Sequence, residues 1–186
     1  DEVREIEKRV RDLIREIEKS NRDLEREAKR LIDEIDDLSR KLKEDADKLI
    51  EEIKELKKKV KDKRELTDRV RKILEEVERL LRESIERSKE VLKELEKLLR
   101  DDLKKVEDVL RTVEKILKDL LRRDKDSEEV RRVVEKLRRL LKTITEHVKE
   151  VLDRLRREAE DALRRDKEVA DRIREEARRI LEDVKK

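Results

Sequence analysis

No glycine, proline, cysteine, methionine, tryptophan, tyrosine or phenylalanine occurs in this chain. Each absence removes a class of function. Without glycine there is no loop in which backbone amides can approach a phosphate, so P-loop and dinucleotide-binding fingerprints are excluded. Without cysteine there are no disulfides, no thiolate nucleophile and no clue to redox compartment. Without aromatics there is nothing to stack nucleic-acid bases or to anchor a helix at a lipid interface. A field of one sign is also missing: 58 basic residues face 55 acidic ones, interleaved throughout, for a net charge of +3. Such a surface does not gather polyanions or anionic membranes. No apolar run approaches the roughly 18 residues of a membrane span, and the opening residues DEVREIEKRV do not read as a signal peptide.

What is present is a periodic third of Leu, Ile, Val and Ala in a chain that is 61% charged. Disorder needs low hydrophobicity without a burial pattern, so the charge does not imply it. The segments DLIREIEK (12–19), RLIDEIDD (30–37) and KLIEEIKE (48–55) are one pattern repeated every 18 residues. The middle of the chain repeats Ile73-Leu74, Val91-Leu92 and Val109-Leu110, and the last third Leu137, Leu155 and Ile173. Eighteen residues make about five α-helical turns. The apolar stripe therefore runs along the helix axis, without the drift that drives a heptad coiled coil to supercoil.

With no glycine or proline the usual helix stops are missing. Two places still break the pattern. In VKDKRELTD (60–68) Asp62 precedes Glu65, and in RRDKDSEEV (122–130) Asp126 precedes Glu129. Each resembles a capping box, with Thr67 and Ser127 as rival caps. The expected fold is all-α: an antiparallel, up-down-up three-helix bundle of long, nearly straight helices, forming one domain over 1–186. The helices are expected at about 2–61, 65–123 and 127–185, each roughly 90 Å long at 1.5 Å per residue. A stripe of about six apolar residues per 18 is wide enough to face two neighbours, which favours a monomer of high thermal stability. No cofactor, nucleic acid or membrane partner is expected. Self-assembly, or pairing with a partner chain, is the alternative.

This regular texture, carried by DLIREIEK, RLIDEIDD and KLIEEIKE, resembles de novo designed, parametrically generated helical bundles. The resemblance implies a hyperstable scaffold without catalysis, in some cases with buried networks of Ser, Thr, Asn and His. The polar exceptions fit that implication. Ser20 occupies the slot of Leu38 and Leu56, and Asn21 beside it is the only Asn. Folding the chain near residues 63 and 125 sets Ser20 and Asn21 level with Thr143 and Thr145, with His147 about a turn away. Ser39, Ser84 and Ser88 gather at a second height. There Ser39 stands opposite Ser88, and Asp166, in the slot of Val130, Val148 and Val184, stands opposite Ser84. Mutually bonded, these residues form register-setting layers. The alternative is that the hydroxyls bond back to their own helix at i−4.

Nothing else in the sequence carries chemistry. His147 is the lone histidine, and a metal site needs three or four ligands. The residue three before it is Ile144, so the Glu-x-x-His pattern of di-iron bundles is absent. The carboxylate pairs Asp36-Asp37 and Asp101-Asp102 are expected on solvated faces.

Overall fold

A computed structural model describes residues 2–186. Three α-helices account for nearly all of it: α1 (Glu2–Lys59), α2 (Lys63–Arg123) and α3 (Glu128–Lys185). Each is uninterrupted. The five-turn repeat is written directly into burial. Ile14, Ile32 and Ile50 are buried on α1, as are Ile17, Ile35 and Ile53; on α2 the same holds for Val77, Leu95 and Val113, and for Leu81, Leu99 and Leu117; on α3 for Val134, Leu152 and Ala170. No large hydrophobic residue is exposed among the described residues. Each buried Leu, Ile or Val contributes about 1.5–3 kcal/mol, so the stripes supply the main drive to fold.

The links show how a chain without glycine reverses. Among the described residues none has a positive φ, so neither turn uses the left-handed helix stop that glycine favours. After α1 the Val60 amide donates to the Leu56 carbonyl at 2.9 Å. Asp62 then caps α2: its carboxylate accepts from the Arg64 amide at 3.3 Å, and its carbonyl from the Leu66 amide at 2.9 Å. Before α3 the cap is Ser127, whose hydroxyl accepts from the Val130 amide at 3.3 Å. Asp126, the expected start, lies in the preceding turn, because the Ser127 carbonyl is the one that receives the Arg131 amide. Thr67 is not a cap; its hydroxyl donates to the Lys63 carbonyl at 2.8 Å. Acids in the first turns, such as Glu2 and Glu128, and bases in the last, such as Lys59 and Arg123, complement the helix dipoles.

The chain divides into two compact units, and each takes a segment from all three helices. The first comprises residues 1–29 and 95–157, the second 30–94 and 158–186. In the first unit Glu2 pairs with Arg123 and Ser20 with Asp102. As α1 positions rise their α2 partners fall, so these segments are antiparallel. Arg138 of α3 meets Glu114 of α2 at 3.0 Å, and Arg154 of α3 pairs with Glu25 of α1. In the second unit Arg165 of α3 holds Asp36 of α1 at 3.1 Å, and Arg174 of α3 lies 4.0 Å from Glu78 of α2. The α1–α3 pairs keep a nearly constant separation of 127 to 129 residues in both units, which makes α1 and α3 parallel. Leu42, Ala46, Val77, Leu81, Ala170 and Ile173 form one core cluster of the second unit.

Candidate functional site

In each unit one serine–aspartate hydrogen bond departs from the apolar repeat and joins two helices. In the first, the Ser20 hydroxyl donates to Asp102 Oδ1 at 3.1 Å, joining α1 to α2. Asn21 and Asp102 are buried, at 3% and 7% exposure. Asn21 Oδ1 and Asp102 Oδ2 both lie out of solvent reach with no hydrogen-bond donor. Burial pushes the Asp102 carboxyl above its ordinary value of 3.8, against the Ser20 hydrogen bond and the Lys105 charge, which both lower it. A cleft of about 590 Å³ opens beside the cluster, lined by Ser20, Asp23, Glu27, Asp101, Asp102 and Lys105, among others.

In the second unit the Ser39 hydroxyl donates to Asp166 Oδ1 at 2.6 Å, joining α1 to α3, and this bond is fully buried. Ser88 is buried on α2 at 1% exposure. The hydroxyl oxygens of Ser84 and Ser88 are buried without a partner. Ser39 therefore meets Asp166, where the sequence set it opposite Ser88. The short distance is that of a hydroxyl on a carboxylate, a stronger contact than one between neutral groups.

Other expected members of the first cluster stand apart from it. The Thr143 hydroxyl donates to the Arg139 carbonyl at 3.0 Å, and that of Thr145 to the Leu141 carbonyl at 2.8 Å. Thr112 likewise bonds the Asp108 carbonyl at 3.0 Å. Every one of these threonines satisfies itself on its own helix at i−4. A methyl and a hydroxyl on one β-carbon let the side chain close that local bond without reaching across a helix interface. His147 is exposed.

Asp102 is the residue that sequence reasoning missed. It was expected on a solvated face with Asp101, and the structure buries it. The repeat carries the signal: Leu66 and Leu120 stand at whole repeats from Asp102, with Ser84 between. Asp36 and Asp37 do lie toward solvent, paired with Arg165 and Arg40 respectively. Among the described residues no group of three or more His, Cys, Asp or Glu is arranged to hold a metal ion. No helix of the described residues is long and apolar enough to cross a membrane.

No family model and no curated protein matches this chain. Among solved structures, a computationally designed three-helix bundle matches it with a TM-score of 0.52, covering 99% of this chain and 87% of that one at 20% sequence identity. At that identity the likeness shows the fold alone, a three-helix bundle.

Proposed function

We propose that this chain is a designed structural scaffold, a self-sufficient three-helix bundle with no catalytic role, in which buried polar contacts select the helix register. The observation that carries the reading is the Ser39–Asp166 hydrogen bond, buried between α1 and α3 in positions that an apolar repeat surrounds. A stripe that repeats every 18 residues is nearly degenerate: slipping one helix by five turns returns apolar side chains to apolar slots. The same slip of α1 replaces Ser39 opposite Asp166 by the bulkier Asn21 or Lys57, and Ser20 opposite Asp102 by Leu38 or Glu2, which cannot donate to the carboxyl. Stranding a buried polar group costs about 1–3 kcal/mol.

The apolar surface supports a monomer, since the wide stripes are covered within the chain and the outward faces carry ion pairs such as Glu135–Arg139 at 3.1 Å. Sedimentation equilibrium over a wide concentration range tests this. A single mass of 22.8 kDa is the expected result, and a concentration-dependent multiple of it would replace the scaffold reading with a self-assembling one.

A further inference from the structure

The interleaving of opposite charges fails at one place. The stretch KKKVKDKR, residues 57–64, holds six basic residues and one acid. The link between α2 and α3 is unlike it: RRDKDSEE, residues 122–129, holds three bases and four acids. Lys57, Lys58, Lys59, Lys61, Lys63 and Arg64 are all exposed.

The acids nearby do not neutralise this surplus. Asp62, inside the stretch, turns its carboxylate to the Arg64 amide as the cap of α2. Glu65 lies 4.0 Å from Arg69, and Glu51 lies 3.4 Å from Lys54. Glu55 stands one turn before Lys59 and is not paired with it; among the described residues none of the six bases has a side-chain carboxylate in ion-pairing reach. Lys63 Nζ donates to the main-chain oxygen of Lys186 at 2.5 Å. That contact brings residues 182–186 alongside, and they add two acids and two bases, so the surplus stands.

Helix dipoles account for only half of the stretch. Lys57, Lys58 and Lys59 close α1, where cations are favoured. Lys63 and Arg64 open α2, where cations are disfavoured. By contrast α1 opens with Glu2, and α3 with Glu128 and Glu129.

We propose that the 57–64 stretch is a docking surface for a flexible polyphosphate chain, held by charge. Close-set cations repel one another, and a polyanion laid along them relieves that repulsion. A lysine ammonium is a compact charge that takes a phosphate oxygen without demanding a fixed geometry. Three consecutive helical residues such as Lys57, Lys58 and Lys59 spread over about 200° of the helix circumference. A flat anionic bilayer therefore touches only some of the six cations, and a thin chain that bends reaches all of them. With no aromatic residue in the protein there is nothing to stack bases, so a nucleic acid gains no more than its phosphates supply.

The test is calorimetric titration of the intact chain with inorganic polyphosphate at a series of salt concentrations. Two variants of equal charge are compared with the parent. One carries Lys58→Gln, Lys61→Gln, Lys63→Gln and Arg64→Gln. The other carries Lys8→Gln, Lys97→Gln, Lys118→Gln and Lys149→Gln, at exposed positions away from the stretch. The first should bind about tenfold more weakly or worse, and its slope of log affinity against log salt should flatten by about 3, roughly 0.7 for each of the four lost cations. The second should keep the parent's affinity within about twofold. Equal losses in the two variants mean a diffuse attraction to the whole surface and overturn the proposal, as does a parent that fails to bind at low salt. Pelleting with phosphatidylserine vesicles is the remaining arm. The parent should stay in solution at a salt concentration where polyphosphate still binds; co-sedimentation that the first variant loses would give the surface to a bilayer instead.

Discussion

The two units solve the same problem with different remainders. Each puts a serine of α1 against a buried aspartate of another helix, Ser20 with Asp102 and Ser39 with Asp166. What is left over differs. The first unit strands two acceptors, Asn21 Oδ1 and Asp102 Oδ2; the second strands two hydroxyls, Ser84 and Ser88. A hydroxyl brings its own hydrogen and rotates it toward whatever acceptor its helix offers. An amide oxygen and a carboxylate oxygen only accept, so a donor to them must come from elsewhere. A buried polar layer is thus judged by its donors and not only by the number of its polar residues.

The contrast is broken most forcefully at its serines. Ser39→Ala leaves the buried Asp166 carboxyl without its hydroxyl and is expected to cost about 1.5–3 kcal/mol, the range for hydrogen bonds to charged groups, seen as a lower guanidinium midpoint with an unchanged slope. Ser20→Ala should cost less, about 1 kcal/mol, because Ser20 is only half-buried and water can replace it. Equal losses at the two positions would erase the distinction between a dry layer and a partly wet one.

A smaller effect separates two residues that stand side by side. Ser127→Ala removes the cap of α3 and is expected to destabilise by about 1 kcal/mol. Asp126→Ala, one residue earlier, should change stability by less than about 0.5 kcal/mol. The reverse order in paired thermal melts would return the helix start to Asp126. Smallest of all is Ser88→Ala. Its hydroxyl is buried without a partner, so its removal should leave stability within about 0.5 kcal/mol of the parent, or raise it. A loss above about 1 kcal/mol would mean that Ser84 and Ser88 hold a contact as strong as Ser39 does with Asp166.

The fold was legible because one period governs both composition and burial. Ile14, Ile32 and Ile50 share a slot in the sequence and are buried together in the structure. The first turn was nearly as legible, since Asp62 is an acceptor placed just ahead of an apolar run and it caps α2. The second turn offered two adjacent candidates, and only backbone geometry chose Ser127. The polar clusters were harder to read. Position along the helix put Thr143 and Thr145 near the height of Ser20, but height says nothing of azimuth, and a threonine hydroxyl has an acceptor one turn back on its own helix. Asp102 was obscured by numbers: among 55 acids one carboxylate draws no notice until its slot is compared with Leu66 and Leu120.

Register selection by the polar contacts is tested most directly by cysteine cross-linking, which the cysteine-free parent permits without background. Glu25 and Arg154 are ion-paired across α1 and α3, so Glu25→Cys with Arg154→Cys should be joined by a bis-maleimide linker about as long as the two side chains it replaces, and Glu25→Cys with Lys136→Cys, one repeat away, should not. Replacing Ser20, Asn21, Ser39, Asp102 and Asp166 with the aliphatic residues of their slots should release the register, so that the slipped pair cross-links as well. If the replaced chain still joins only residues 25 and 154, the apolar stripes alone set the alignment, and the role given to the polar contacts is wrong.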